Sequence, residues 1–316
     1  MDNIKRSRFS FYGAGGTLFG IYFLNLIFII LTLGLYYPWA RAKLMQYIYG
    51  ETELEGSRFQ FHGTGKEMFL GFIKAIAVIA GLYALVFAAQ LSEVTEIKIA
   101  AFALYFLAII AVIPFAIHGA LRYRMSRTSF KGIHFGYRGK LKELLWLFLK
   151  GVLLTVITLG IYSPWFTVSI RKYIINHIRA GNAELEYDGT GWELFTINLK
   201  GVVFSIFTLG IYMFWYLRNS YRFYINHIRI KQNGTPFRLH TNITAANILV
   251  IIMATYASIL TLGLALPWVI IYNYRVVFDS MSIEEGFEPE LLEQTEEDYS
   301  DATGEDLTDM LDIGMV

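Results

Sequence analysis

The chain has 316 residues, of which 55% are apolar and 17% charged; soluble domains sit near 45–50% and about 25%, so this balance is that of a protein that meets lipid. It has no cysteine, which excludes disulfides, thiolate zinc sites and cysteine nucleophiles. The net charge of +1 hides a split: residues 1–278 hold all 27 Lys and Arg against 12 acids, while residues 279–316 hold 14 acids and no base, so the two regions have different surroundings.

At the N-terminus, Lys5, Arg6 and Arg8 precede an apolar run from Leu18 to Leu31. The run continues into Arg41 and Lys43 without a small-residue cleavage site, so it reads as a retained membrane segment, not a signal peptide. Six apolar stretches, near 17–37, 68–90, 98–118, 144–166, 194–216 and 245–272, reach the roughly 20 residues that cross a bilayer.

Four of these close on one phrase, T-L-G-[IL]-x-x-x-W, at Thr32 to Trp39, Thr158 to Trp165, Thr208 to Trp215 and Thr261 to Trp268. In it Gly34, Gly160, Gly210 and Gly263 relax the backbone. Pro38, Pro164 and Pro267 restart a helix, and Trp39, Trp165, Trp215 and Trp268 suit a membrane–water interface. A second phrase precedes the helices: Phe9 to Gly13, Phe59 to Gly63, His134 to Gly139, Leu185 to Gly189 and Phe237 to Thr241 alternate apolar and polar residues, as short strands do. Thr64 with Glu67, and Thr190 with Glu193, have the spacing of capping boxes.

These signals predict a mainly α, polytopic membrane protein of about five strand–helix–turn–helix repeats, with short β-strands on one membrane face. The second unit lacks the T-L-G phrase but keeps Pro114 and a basic helix with Arg122 and Arg124, and it adds a helical hairpin around an acidic link at 92–96. The repeats form one transmembrane domain, 1–281. Residues 282–316 read as an acidic, disordered tail with apolar spots at Leu291, Leu292, Leu307, Met310 and Leu311. Two topologies fit. Each unit crosses once and strands fall on both sides, or each unit dips in and returns and all strands share one side; the distribution of basic residues favours the second.

The returning helix carries its own pattern. Seven residues after the tryptophan stand Gln46, Lys172, Arg222 and Arg275, with Arg122 equivalent in the degenerate unit; four residues later come Asn176 and Asn226, followed by His177 and His227 within repeated Asn-His-Ile-Arg helices. One helical face therefore gathers these groups. Ionisable residues near the bilayer interior mark a water-filled path, a ligand or a partner, whereas at the interface the same side chains rest on lipid phosphates. Lys172, Asn176, His177, Arg222, Asn226, His227, Arg122 and Arg275 are the candidate ligand-binding set. For the paired histidines, capping or phosphate contact is the expectation, ahead of a metal site. No H-E-x-x-H, G-x-S-x-G or P-loop occurs, so no enzyme, cofactor or metal is expected. Basic charge dispersed among apolar segments sets nucleic acid aside.

The T-L-G-I-Y-x-P-W turns, the Phe-x-Phe-x-Gly-Thr-Gly strand entries and the Tyr-x-x-Asn-His-Ile-Arg helices together resemble the YjgN-like family of bacterial inner-membrane proteins, from about Phe9 to Met281. Met213-Phe214 before Trp215, and Ala265, depart from that pattern. The resemblance implies a multi-pass protein of the inner membrane of a Gram-negative bacterium, in a family whose biochemical role is not established; it carries no catalytic residues to transfer. The expectation is a transporter or channel-like conduit for an anionic or lipid-headgroup ligand, alternatively a scaffold that recruits a protein partner through its acidic, cytoplasmic tail. Membrane lipids are partners in either case.

Overall fold

The computed structural model describes residues 7–295; Lys5, Arg6, Leu307, Met310 and Leu311 lie outside the described residues. Ten strands are present among them: β1 (Ser7–Phe11), β2 (Thr52–Leu54), β3 (Ser57–Phe61), β4 (Thr128–Phe130), β5 (Ile133–Tyr137), β6 (Ile178–Ala180), β7 (Ala183–Tyr187), β8 (Ile228–Gln232), β9 (Thr235–Thr241) and β10 (Met281–Ile283). They close into one antiparallel barrel in the order β1-β10-β9-β8-β7-β6-β5-β4-β3-β2. Helical hairpins join them in pairs: α1 (Gly15–Leu31) with α2 (Tyr37–Gly50), α3 (Gly65–Gln90) with α4 (Thr95–Ser126), α5 (Leu141–Ile157) with α6 (Ser163–Asn176), α7 (Gly191–Phe207) with α8 (Met213–Asn226), and α9 (Ala245–Leu260) with α10 (Leu266–Asp279).

This architecture corrects the expected polytopic helical fold. Among the described residues only α3 and α4, of 26 and 32 residues, are long and apolar enough to cross a bilayer. The other eight helices have 14 to 17 residues, about 21–25 Å at 1.5 Å per residue, short of a hydrocarbon core of about 30 Å. The apolar runs read as single crossings break at their T-L-G turns. In each turn leucine takes the left-handed conformation (Leu33 φ 51°, Leu159 50°, Leu209 51°, Leu262 53°) and glycine follows at φ 85–93°. The Gly34 N–H donates to the Ile29 carbonyl at 2.7 Å and the Leu33 N–H to Ile30 at 3.1 Å, the paired bonds of a Schellman stop. Thr32 adds its hydroxyl, donating to the Phe28 carbonyl at 2.7 Å and accepting from the Tyr36 N–H at 2.9 Å; Thr158, Thr208 and Thr261 accept in the same way from Tyr162, Tyr212 and Ala265. The turn therefore satisfies most of its own polar groups.

The even-numbered strands were not expected. The reading of Asn-His-Ile-Arg as helix fails after the asparagine: α6 and α8 end at Asn176 and Asn226, and Ile178 and Ile228 open strands. Three of the even-numbered strands, β2, β4 and β8, run into a tight turn. Glu55-Gly56, Lys131-Gly132 and Asn233-Gly234 have positive φ at both positions, the type I′ geometry that folds two strands into a tight hairpin. All ten strands share one barrel, so the arrangement with strands on both membrane sides is excluded.

Register sorts the residues. Phe9 faces Leu54, Phe59 faces Phe130, Phe135 faces Ala180, Leu185 faces Ile230 and Leu239 faces Ile283. These positions supply most of one apolar cluster, joined by Phe287, that fills the barrel. The alternate positions are polar and pair across strands: Arg179 with Glu184 at 2.7 Å, Lys231 with Glu186 at 3.4 Å, and Arg229 with Asp188. A lipid-facing barrel shows an apolar band outside; this one shows charge.

As far as residue 295, the chain beyond β10 stays against the barrel. Residues 284–295 lie across the rim of I′ turns, with Phe287 7% exposed in the barrel cluster. Gln232 donates to the Glu288 carbonyl at 2.8 Å, Asn182 accepts from the Glu293 N–H at 3.2 Å, Thr295 donates to the Gly181 carbonyl at 2.7 Å, and Lys131 pairs with Glu290. The expected boundary at 281/282 thus falls inside β10.

Candidate functional site

The units interlock through the positions picked out as a polar stripe. Seven residues after the tryptophan, Gln46 donates to the Gly63 carbonyl at 3.0 Å, Arg222 donates through Nε to Ile243 at 3.0 Å, and Arg275 donates to Gly13 at 3.1 Å. Each carbonyl lies at the strand exit of the next unit, and Arg275 joins the fifth unit to the first. Four residues further on, Asn176 Oδ1 accepts from the Tyr187 N–H at 2.8 Å, Asn226 from Thr241 at 3.0 Å, and Asp279 from Phe11 at 3.1 Å. Arg222, Arg275, Asn176 and Asn226 thus tie unit to unit. Lys172 is exposed and makes no hydrogen bond or ion pair among the described residues; Arg122 occupies the corresponding place on α4 and is not free.

The histidines cap helices. His177 Nδ1 donates to the Tyr173 carbonyl at 2.7 Å and His227 Nδ1 to Phe223 at 2.9 Å, satisfying carbonyls that a helix end leaves open. His227 Nε2 also lies 3.2 Å from Glu193. Glu193 stands in the capping position of α7, where the Thr190 hydroxyl accepts its N–H at 3.3 Å. At Thr64 the capping box is complete, with Glu67 returning to the Thr64 N–H at 3.0 Å and reaching Arg127 at 2.9 Å.

One groove gathers several candidates. Between α7 and α8 lies a hollow of about 340 Å³ walled by Glu193, Thr196, Ile197, Lys200, Tyr212, Tyr216, Asn219, Arg222, Phe223, Asn226 and His227, a volume within the range of small-molecule sites. Tyr216 lies flat on α7 because Gly201 has no side chain: a Cβ there would come 2.2 Å from the tyrosine ring. Its hydroxyl donates to Asn198 Oδ1 at 3.2 Å. The groove holds Arg222, Asn226 and His227; Lys172, Asn176 and His177 sit at the equivalent places one unit earlier, and Arg122 and Arg275 lie elsewhere on the ring. A larger hollow between α3 and α4, walled by Leu85, Ala88, Ala89, Ile97, Ala100, Ala101 and Leu104, is lined by apolar side chains.

Lys200 was missed because it lies inside an apolar helix, but a repeat signal marks it. Lys74, Lys150 and Lys200 stand at one position of three units, ten residues after Thr64, Lys140 and Thr190. Tyr187, 2% exposed, has a hydroxyl without a partner among the described residues; burial pushes its phenol up to about 12, with Arg171 pulling the other way. His62, whose Nε2 is 2.7 Å from the Ser129 hydroxyl, is held below the usual imidazole value by partial burial, and by His134 and Arg127. No group of three metal-ligating side chains occurs among the described residues.

Comparison with known proteins places the chain among uncharacterised relatives. The family model described as "Bacterial protein of unknown function (DUF898)" matches residues 6–197 and 221–310. The chain is 30% identical over 161 residues to "Inner membrane protein YjgN" of Salmonella typhimurium, covering 51% of this chain and 38% of that protein. Two Escherichia coli proteins of the same name are 29% and 28% identical, each over 46% of this chain and 34% of theirs. The chain thus spans well under half the length of these relatives. No solved structure matches.

Proposed function

This chain belongs to the DUF898 family of bacterial proteins, the YjgN-like family, and from that membership and the geometry we propose that it is an inner-membrane protein that enters the bilayer from one side and handles an anionic, headgroup-bearing ligand there. The observation that carries the reading is the state of the hairpin tips: Leu33, Leu159, Leu209 and Leu262 are 93–95% exposed. Bare leucine on a turn that satisfies its own backbone suits hydrocarbon, where unpaired polar groups are costly. The charged outer face of the barrel suits water. In this arrangement four hairpins dip into the bilayer and the longer α3–α4 hairpin, with Ser92, Glu93 and Glu96 near its turn, reaches the other side. The barrel is filled by its own side chains, so a ligand moves along the helix grooves, not through the strands.

The absence of native cysteine makes the test direct. Single cysteines at Leu33, Leu209, Glu93 and Thr235 are probed with a membrane-impermeant maleimide in sealed vesicles of both orientations. Thr235 and Glu93 label from opposite sides, and the two leucine positions label from neither. Free labelling of Leu33 and Leu209 from water would overturn the reading. A second reading, an adaptor that recruits a protein through its acidic tail, is favoured by the strap that fixes the tail to the barrel at Thr295. Removal of residues 296–316 would then abolish partner recruitment without changing vesicle labelling.

A further inference from the structure

We propose that the α7–α8 groove binds the phosphate-bearing headgroup of a membrane lipid, with Lys200 and Arg222 as its cationic contacts; this rests on the bilayer seating proposed above. Two cations share the groove wall with Asn219, Thr196 and Tyr216. Lys200 is exposed and makes no hydrogen bond or ion pair among the described residues. Arg222 spends Nε and one Nη2 hydrogen on the Ile243 and Asn242 carbonyls, which leaves three of a guanidinium's five N–H donors. The one acid, Glu193, is already faced by His227 at 3.2 Å, so the groove's uncompensated charge is positive.

The apolar half of the site selects a lipid over a free ion. Ile197 and Phe223 line the groove, and α7 continues past Lys200 as Val202, Val203, Phe204, Ile206 and Phe207, exposed by 39–81%, a surface that acyl chains would cover. A lysine whose stem lies on apolar surface while its ammonium seeks the headgroup layer follows the usual behaviour of such side chains. The arrangement is not shared by all units. Leu24 and Ala254 replace Lys200 in the first and fifth units, and Trp146 and Phe166 replace Thr196 and Tyr216 in the third.

Native mass spectrometry of the detergent-purified full chain, titrated with phosphatidylglycerol, tests the proposal. Wild type retains the lipid; Lys200→Glu lowers its retention by about tenfold, the effect of one charge-assisted contact, while Lys66→Glu, an exposed lysine of α3, does not. Diacylglycerol, which lacks the phosphate, is not retained, and inorganic phosphate does not displace the lipid. Equal retention by Lys200→Glu and wild type overturns the proposal, as does displacement by inorganic phosphate alone, which would make the ligand a free anion. Vesicle flotation of the same proteins reads bilayer seating separately. A wild type that retains lipid but does not float defeats the seating alone, and one that floats without retaining lipid defeats the site alone.

Discussion

Arg275 donates from Nη2 to the carbonyl of Gly13 at 3.1 Å, so a residue near the end of the last helix holds the first strand's exit. Asp279 accepts from the Phe11 N–H one turn away, and β1 pairs with β10. The barrel is closed by the same contacts that join its inner units. Arg275→Ala should therefore lower stability by about 1.5–3 kcal/mol, the range for a charge-assisted hydrogen bond, read from denaturant midpoints in detergent. Lys172→Ala, at the same repeat position without a partner, should leave the midpoint unchanged.

The leucines of the T-L-G turns set backbone against solvent. A left-handed leucine costs about 1–2 kcal/mol, and Leu209 is 95% exposed, so packing within the protein does not repay it. Leu209→Gly should raise the melting temperature of the detergent-solubilised protein. The same change should weaken bilayer association, because a buried leucine side chain is worth about 1.5–3 kcal/mol of transfer. Vesicle partitioning of the single and fourfold variants, scored beside the melts, would show the opposite signs.

The strap closes the barrel's other end. Phe287, 7% exposed, joins Leu54, Phe130, Leu239 and Ile283, and large-to-small changes of this kind cost about 3–5 kcal/mol. Phe287→Ala should speed amide exchange in β8 and β9, where Gln232 holds Glu288, ahead of exchange in α7. Uniform acceleration everywhere would mean that the strap is part of the global fold and not a local cover.

Below neutral pH the β3–β4 edge should weaken. The folded state holds His62 below the imidazole value of 6.5, chiefly by desolvation and then by His134 and Arg127. The unfolded chain takes up its proton first, so stability is full above about pH 6.5 and falls as pH drops through the depressed folded value. His62→Gln should flatten that part of a melting-temperature profile between pH 7.5 and 5.

Repeat, capping and strand entry were readable because each is local: Thr64 and Glu67 make their box within four residues, and Phe9, Ser10 and Phe11 alternate. Barrel closure was not, since it depends on short strands such as Met281–Ile283, whose role is set by a partner at Ser7 and Arg8. The Asn233-Gly234 turn pairs β8 with β9, a hairpin that the reading of Asn-His-Ile-Arg as helix overlooked. The candidate residues recur from unit to unit, but repetition does not separate a ligand contact from a clamp. Asn226 accepts a neighbour's N–H; Lys172 makes no such bond among the described residues.

The tryptophans give the last prediction. Trp165 rests on Gly191, where a Cβ would lie 2.3 Å from Cδ1 and 2.8 Å from the Trp165 Cα; Trp39 meets Gly65, and Trp268 meets Gly15, in the same manner. Besides any interfacial role, each tryptophan seals one unit against the next. Glycine to alanine in a helix normally gains about 0.8–1 kcal/mol, and Gly20→Ala, with open space around it, should show that gain. At Gly191 the new methyl strikes backbone, which cannot swing aside, and overpacking of about 1–3 kcal/mol exceeds the helix gain. Gly191→Ala should lower the melting temperature and Gly20→Ala raise it. The same sign at both positions would show that the tryptophan contact yields to a methyl group.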